Sequence, residues 1–182
     1  MSRISFKNLI GILEIDFEDN RINRIRILPI TSSLSKKMNS SATLTPIIQK
    51  IQDYFQGKKV DFQNIPLLFH GVTPPPIADL SGQSDEVGSV SGGMKGGGVT
   101  PLQKEILERV RKIPYGMTKS YGEIAKEFGN RNLARAVGQA CKANPFPILV
   151  PCHRVIQKGG GLGGYSQGLE IKKKLLEMER GK

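Results

Sequence analysis

A cysteine followed directly by a histidine and an arginine is the most chemically suggestive feature of the sequence. Cys152, His153 and Arg154 lie between apolar residues in the stretch ILVPCHRVI. Free cysteines are usually small buried hydrophobes, so core packing is one interpretation of Cys152. Basic neighbours lower the pKa of a thiol, so a reactive nucleophile is the other interpretation. The prolines within residues 144–147 predict a rigid, turned connection before the cysteine, and this favours a thiol held for chemistry.

The two cysteines and two histidines of the chain restrict the other kinds of site. Cys141 and Cys152 are too few for a disulfide framework, and a reducing cytosol would keep both as thiols. Zinc is not expected, because no Cys-x2-Cys or His-x3-His spacing occurs around these cysteines, His70 or His153. No apolar run approaches the roughly 18 residues of a membrane span, and the N-terminus does not resemble a secretory signal. We therefore expect a cytoplasmic protein with no membrane partner.

The positive charge of the chain is concentrated in its C-terminal part. The formal net charge is +11, and residues 101–182 carry 16 Lys and Arg against 7 Asp and Glu. Residues 1–100 carry 11 against 9. A basic domain of this kind commonly contacts phosphate backbones, although ordinary solvated lysines would give the same balance. Charge alone therefore leaves nucleic-acid binding open.

Three helices with clear boundary signals are predicted after residue 100. The first has Thr100 as its N-cap and one apolar face, formed by Leu102, Ile106, Leu107, Val110 and Ile113. The second has Ser120 and Glu123 as a capping box and ends at Gly129. The third buries a stripe formed by Leu133, Ala136, Val137, Ala140 and Cys141 and turns Arg135, Gln139 and Lys142 outward. This pattern is typical of a helix-turn-helix, and the small residues Ala134 and Gly138 would allow the third helix to approach a backbone closely.

The N-terminal part predicts a scaffold unit followed by a linker. Residues 1–70 show three short alternating runs, with EDNR as a hairpin loop, and then a helix from Thr45 to Gly57. No residue of this unit suggests catalysis. Residues 71–100 are rich in Gly, Pro and Ser and predict a flexible linker before a C-terminal domain at 101–182. The tetrapeptide GVTP occurs at Gly71 and again at Gly98, which indicates either an insertion or a chance match.

Residues 101–182 closely resemble the O6-alkylguanine-DNA alkyltransferase family, also called the methylated-DNA–protein-cysteine methyltransferase family. The likeness rests on PCHRVI, preceded by ARAVGQACKANPFPILV and followed by GGLGGYSQGLEIKKKLLEMERG. The first 70 residues are only loosely similar to the family's N-terminal domain. The resemblance implies an α+β fold, with a small ribonuclease H-like N-terminal sheet domain and a helical C-terminal domain that contains a winged-helix-like helix-turn-helix.

The resemblance also implies a chemistry and a set of catalytic residues. Cys152 would take the alkyl group from O6-alkylguanine, and from O4-alkylthymine, in a stoichiometric and irreversible transfer that needs no cofactor and no metal. His153 would remove the thiol proton through a water and would be oriented by Glu179. Asn144 would hold the turn that leads into the PCHR segment. Without the resemblance, Glu179 would equally be a solvated carboxylate at a helix end.

The implied partner is double-stranded DNA that carries an alkylated base, bound by a monomer through the minor groove. The target base would be flipped out, and Arg135 would fill the gap that it leaves. Tyr121 would turn the phosphate and bind the flipped base in a pocket with the Val155 carbonyl, Tyr165 and Ser166. The other DNA-contacting residues would be Ala134, Gly138, Gln139 and Lys142. Taken alone, Tyr121 would equally be a packing residue and Arg135 a plain surface charge.

Two rival functions remain at this stage. A lesion-binding protein without transfer would keep the flipping site but lack the nucleophile, so Cys152 argues against it. A transcription factor with a helix-turn-helix and an incidental cysteine is the second rival, and sequence-specific DNA footprinting would favour it.

Overall fold

The computed structural model of the chain describes residues 2–31, 45–69 and 99–181. His70 and the predicted linker, apart from Val99 and Thr100, lie outside the described residues, and so does the first copy of GVTP. None of the helices in the described ranges is long and apolar enough to cross a membrane.

The N-terminal unit begins with a three-stranded antiparallel sheet. Its strands are β1 (Ser2–Asn8), β2 (Gly11–Glu18) and β3 (Arg21–Leu28), in the order β1-β2-β3. Asp19 and Asn20 join β2 to β3 with φ angles of 48° and 59°. Two successive positive φ angles match the twist of a hairpin, and Asp and Asn tolerate this conformation better than most residues. The predicted strands and the EDNR turn are confirmed.

The central strand β2 is buried more completely than alternation predicts. Seven of its eight residues are buried, including Glu14 and Asp16. Arg3 donates to Asp16 at 2.6 Å, and Arg26 donates to Glu14 at 3.2 Å and to Asp16 at 3.0 Å. Two guanidinium groups on the neighbouring strands thus pair with the two carboxylates, and this pairing allows the carboxylates to be buried on one face of the sheet.

Helix α1 (Thr45–Phe55) packs its buried residues Ile51 and Tyr54 into the core and is followed by Gly57 at a φ angle of 80°. The chain then returns to the sheet, where the Ile22 amide donates to the Pro66 carbonyl at 3.0 Å and the Leu68 amide donates to the Ile22 carbonyl at 2.8 Å. The predicted helix and its end at glycine are confirmed.

Helix α2 (Pro101–Arg111) opens the C-terminal part with the expected Thr100 cap, and Gln103 adds a capping box that was not predicted, in which the two side chains bind each other's backbone amides. Most of its predicted apolar face is buried, namely Ile106, Leu107, Val110 and, just after the helix, Ile113. Leu102 was expected on the same face, but it is 42% exposed. The predicted face is therefore formed, but its first turn is exposed and the buried part begins at Ile106.

The helix-turn-helix follows the predicted boundaries. Helix α3 (Tyr121–Lys126) is capped by Ser120 and Glu123, and Gly129 follows it with a φ angle of 73°. Asn130 caps a short 3-10 turn at Arg131–Leu133, which leads into α4 (Ala134–Ala143). Val137 and Ala140 are fully buried, and the other members of the stripe, Leu133, Ala136 and Cys141, pack against the core at partial exposure.

The segment after α4 connects the two parts of the fold. A 3-10 turn at Cys152–Arg154 precedes the short strand β5 (Val155–Ile156). Strand β5 pairs in parallel with β4 (Lys119–Ser120). Helix α5 (Leu169–Glu179) is the last element of the fold. The Ile25 amide of β3 donates to the Pro145 carbonyl at 2.8 Å. The sheet of the N-terminal unit therefore supports the connection that carries Cys152.

Candidate active site

Asn144 holds the turn that presents Cys152. Its side-chain carbonyl accepts the Phe146 amide at 2.9 Å, which sets the orientation of the side-chain amide. The Asn144 NH2 group therefore points toward the Val150 carbonyl at 2.9 Å and the Cys152 sulfur at 3.1 Å. Ile148, between these residues, has a φ angle of 79°, which costs a branched residue about 1–2 kcal/mol. The turn is therefore held in a strained form by the side chain that also contacts the thiol.

The Cys152 thiol lies inside the protein and is 3% exposed. Burial raises its pKa, whereas the hydrogen bond from Asn144 and the charge of Lys172 lower it in part. The sequence-based expectation that basic neighbours lower the pKa of this thiol is therefore wrong. Arg154 is directed at Glu179 instead of the sulfur, and burial outweighs the remaining cation. Before any reaction Cys152 is therefore a neutral thiol, and a base must remove its proton before the sulfur can act as a nucleophile.

His153 follows the cysteine and is fully buried against Glu179. Its Nε2 atom lies 2.8 Å from Oε1 of Glu179. Burial lowers the pKa of His153, although Glu179 opposes this shift. Because an ionised carboxylate only accepts hydrogen bonds, Nε2 must carry the proton of the neutral ring. Nδ1, which makes no hydrogen bond within the part of the chain that the structure describes, is then the basic nitrogen.

The carboxylate of Glu179 receives hydrogen bonds from four residues. Arg154 donates to both oxygens from Nε and Nη2 at 2.9–3.2 Å, and the Gly116 amide donates to Oε2 at 3.1 Å. Burial raises the pKa of Glu179, but His153 and Arg154 lower it more, so that it lies at about 2. Glu179 is therefore ionised at neutral pH and is no solvated carboxylate at a helix end.

The fourth donor, Tyr54, comes from the unit in which the sequence suggested no catalytic residue. Its hydroxyl donates to Oε1 of Glu179 at 2.6 Å and lies 3.3 Å from Nε2 of His153. Tyr54 is separated from His153 by 99 residues, and only its place on the buried side of α1 hints at a special environment. A sequence pattern with local periodicity cannot reveal such a contact.

A second residue missed by sequence reasoning is Lys172 on α5. Its side chain is buried, and its ammonium donates to the Val155 carbonyl at 2.6 Å and to the Gly164 carbonyl at 3.4 Å. Burial lowers its pKa, and the electrostatic attraction to Cys152 and Cys141, which acts only on ionised sulfurs, opposes that shift. The Val155 carbonyl, expected in the base pocket, thus already accepts one hydrogen bond and keeps a second lone pair for a ligand.

The other predicted pocket residues lie around the glycine-rich loop. A methyl group at Gly163 would lie 2.8 Å from the hydroxyl oxygen of Tyr121, and one at Gly138 would lie 3.9 Å from its ring. The Tyr121 ring therefore sits between α4 and the loop. The Tyr165 hydroxyl is buried without a hydrogen-bond partner among the described residues, and Ser166 is exposed.

The outer face of α4 carries the predicted DNA contacts. Arg135, Gln139 and Lys142 are exposed, whereas Ala134 and Gly138 are partly buried. The structure thus brings Cys152, His153, Glu179 and Asn144 together and places Tyr121 between the pocket and this helix. Cys141 lies on the inner side of α4, where it packs against the core, and burial raises the pKa of its thiol.

The fold combines a helix-turn-helix with a buried cysteine beside a histidine–carboxylate pair, and comparisons with known proteins give its family. Residues 101–181 match the model of the 6-O-methylguanine DNA methyltransferase DNA-binding domain, and residues 6–69 match the ribonuclease-like domain of the same proteins. The chain belongs to the methylated-DNA–protein-cysteine methyltransferase family. The family and the fold class expected from the sequence are confirmed.

Individual relatives cover different shares of the chain. A probable methylated-DNA–protein-cysteine methyltransferase of Acanthamoeba polyphaga mimivirus is 32% identical over 94% of this chain and 91% of its own length. The relative from Methanosarcina acetivorans is 52% identical over 44% of this chain and 51% of its own length. The crystal structure of Mycobacterium tuberculosis OGT in complex with DNA has a TM-score of 0.69 and 30% identity, and the match covers 98% of this chain and 92% of that chain.

Proposed function

We propose that Cys152 is the acceptor of the alkyl group in this methylated-DNA–protein-cysteine methyltransferase. The observation that carries the assignment is the buried Cys152 sulfur, bound by the Asn144 amide, beside a histidine whose Nδ1 is free to accept a proton. DNA repair by alkyl transfer and the enzyme class are what the family relatives support. The individual roles of the site residues are our proposal.

The transfer proceeds as one displacement at the alkyl carbon. The thiol proton of Cys152 passes through a water to Nδ1 of His153, and Glu179 balances the imidazolium charge across Nε2. The sulfur forms a bond to the methyl carbon while the bond from that carbon to O6 breaks. The electron pair of the broken bond stays on the base, which takes up one proton and is restored to guanine within the DNA. Cys152 becomes a thioether with no route back to the thiol, so each molecule reacts once.

Helix α4 binds the DNA in the minor groove of the duplex. Ala134 and Gly138 permit close approach, and the exposed side chains of Gln139 and Lys142 contact the backbone. The alkylated base is flipped into the pocket, and Arg135 occupies the space that the base leaves in the stack. Tyr121 turns the phosphate and binds the base, together with the Val155 carbonyl, Tyr165 and Ser166. O4-alkylthymine enters the same pocket.

Two further features of the proposal concern where and how the protein acts. Both cysteines are free thiols in the structure, which supports action in the reducing cytoplasm. We also propose that the protein acts on the duplex as a monomer.

Intact-mass measurement after mixing with an O6-methylguanine duplex tests the proposal. The protein should gain the mass of one methyl group in place of one hydrogen, and peptide mapping should place it on Cys152. Cys141→Ala is the matched control and should still be methylated, whereas Cys152→Ala should bind the duplex without any mass gain. Label on Cys141, or binding without transfer by the unaltered protein, would contradict the assignment, and the second result would favour a lesion-binding or regulatory function.

A further inference from the structure

Tyr54 links the N-terminal unit to the catalytic pair of the C-terminal part. Its side chain is fully buried, and its hydroxyl lies 2.6 Å from Oε1 of Glu179 and 3.3 Å from Nε2 of His153. We propose that Tyr54 is a positioning residue that sets the orientation of His153 and the basicity of the His153–Glu179 pair. This inference rests on the proposed role of His153 as the base, and it assigns a catalytic task to a unit that otherwise reads as a scaffold.

The direction of the hydrogen bond follows from the charges. Glu179 is ionised, so it must accept the hydrogen bond and Tyr54 must donate. Burial raises the pKa of Tyr54 well above its ordinary value, and the neighbouring Glu179 charge adds to the rise. The phenol therefore keeps its proton at neutral pH. It is a permanent neutral donor and differs in this respect from the Arg154 cation.

The position of the hydroxyl is fixed by the aromatic rings around it. Phe55, Phe62 and Tyr115 surround the Tyr54 ring in edge contacts with centroid distances of 5.3, 5.5 and 5.9 Å. Such contacts restrict the tilt of the ring, so the hydroxyl is held at one point relative to Glu179. Oε1 of Glu179 receives Tyr54 and Nε2 of His153 together, so a shift of the phenol would move the carboxylate oxygen that orients the imidazole.

The hydrogen bond also changes how strongly Glu179 attracts the proton on His153. By donating to Oε1, Tyr54 adds to the hydrogen bonds from Arg154 and weakens the attraction of the carboxylate for an imidazolium. Without it the carboxylate would hold the imidazolium more tightly, and the pKa of His153 would rise. The other charged groups that act on His153, Arg154 and Lys172, are both cationic and lower its pKa. Tyr54 therefore acts in the same direction as these cations and helps keep His153 neutral and ready to accept a proton.

Tyr54→Phe tests the inference because it removes the hydroxyl and keeps the ring. Single-turnover methyl transfer should be measured from about pH 5 to about pH 9, a range that spans the ordinary histidine pKa. The rate constant at neutral pH should fall about tenfold, the effect of one hydrogen bond to a charged group. The acidic limb of the pH profile should move to higher pH. A merely structural role would lower the rate equally at every pH and leave the limb in place.

Tyr115→Phe is the matched control from the same aromatic cluster. Its hydroxyl lies 3.2 Å from the Gly57 carbonyl and 3.5 Å from the Met178 carbonyl, to either of which it can donate, and neither acceptor is a side chain of the catalytic pair. This variant should keep both the rate and the position of the acidic limb. An equal effect of both substitutions would overturn the inference in favour of general packing.

A second measurement does not depend on transfer. The chain has only two histidines, His70 and His153, so imidazole NMR signals are simple to assign. The Nε2 proton signal of His153 at neutral pH should shift in Tyr54→Phe and remain in place in Tyr115→Phe. An unchanged signal, or an unchanged transfer rate in Tyr54→Phe, would refute the positioning role. If the unaltered protein transferred no methyl group, the proposed function would fail, whereas the NMR comparison would still decide whether Tyr54 acts on His153.

Discussion

Glu179→Gln is the perturbation whose consequences the structure defines most fully. The two carboxylate oxygens accept hydrogen bonds from Tyr54, His153, Arg154 and Gly116. A glutamine amide would place an NH2 group where one oxygen stands, and in either orientation that group would face at least two donors. Arg154 would also lose the charge that balances it while staying buried. We therefore expect a large loss of stability with little change in side-chain volume.

The size of the loss follows from the pKa of Glu179. That pKa lies at about 2, against 4.5 for the free side chain. Since one pKa unit corresponds to about 1.4 kcal/mol, the folded surroundings favour the ionised form by about 3 kcal/mol. Removing one partner of a buried ion pair typically costs about 3–5 kcal/mol, which agrees. The free energy of unfolding of Glu179→Gln at pH 7 should thus be lower by about 3 kcal/mol.

The pKa shifts of Glu179 and His153 determine how the free energy of unfolding changes with pH. Because the folded pKa of Glu179 is depressed, its contribution is complete above about pH 4.5 and is lost as the pH falls toward 2. His153, whose pKa burial lowers, also makes the folded state less stable as the pH falls below its ordinary pKa of about 6.5. In Glu179→Gln the first effect disappears. The stability difference between the two proteins should therefore shrink by more than half between about pH 7 and about pH 3.

Urea unfolding followed by circular dichroism at several pH values is the assay. The control is Glu177→Gln on the same helix, since Glu177 is half exposed and lies 4.0 Å from Lys173. An exposed pair of this kind contributes at most about 1 kcal/mol, so the control should stay close to the unaltered protein at every pH. A loss below about 1 kcal/mol for Glu179→Gln at pH 7, or a difference that does not change with pH, would refute the reasoning.

Two further substitutions test how DNA and base are held. Arg135→Ala should slow repair of duplex DNA far more than transfer from the free modified base, because only a duplex has a base stack to open. Both reactions would be measured as single-turnover rates. Equal losses on the two substrates would assign Arg135 to the fold or to the chemistry instead. Gly163→Ala should slow transfer, because the added methyl group would meet the Tyr121 hydroxyl at 2.8 Å. Gly160→Ala is its control, with a φ angle of 90° and nothing within 4 Å of the added group. Both alanine variants should lose about 1–2 kcal/mol of stability in urea unfolding from the left-handed backbone, and equal transfer rates in the two would argue against a role for the Tyr121 contact.

The features predictable from sequence were those with local causes. Asp19 and Asn20 form the hairpin that their types favour, and Thr100 and Ser120 cap the helices that follow them. The apolar stripe of α4 could be predicted because its members recur with helical spacing. The burial of Asp16 could not be predicted from the sequence, because it depends on a hydrogen bond from Arg3 on another strand. Sequence neighbours also misled, because Arg154 follows Cys152 closely yet its guanidinium binds Glu179.

The contacts that decide the chemistry join distant parts of the chain. Tyr54 reaches Glu179 across 125 residues, and the Ile25 amide supports the Pro145 carbonyl next to Asn144. No local pattern carries such pairings, because they arise only when the N-terminal unit packs on the turn that holds Cys152. The family resemblance supplied the roles of Cys152, His153 and Glu179, but it did not supply the neutral state of the thiol.

That neutral state has a chemical consequence for a protein that reacts once. Burial raises the pKa of the Cys152 thiol and lowers the pKa of His153, so both groups are uncharged at rest. Only thiolates react readily with oxidants and disulfides, so a buried thiol is spared from reactions that would use up the protein. The charge separation of the proposed transfer, with a thiolate and an imidazolium, is favoured by groups already in place, since Asn144 donates to the sulfur and Glu179 accepts from Nε2. The site thus limits the reactivity of Cys152 in the free protein and supports thiolate formation when an alkylated base lies beside it.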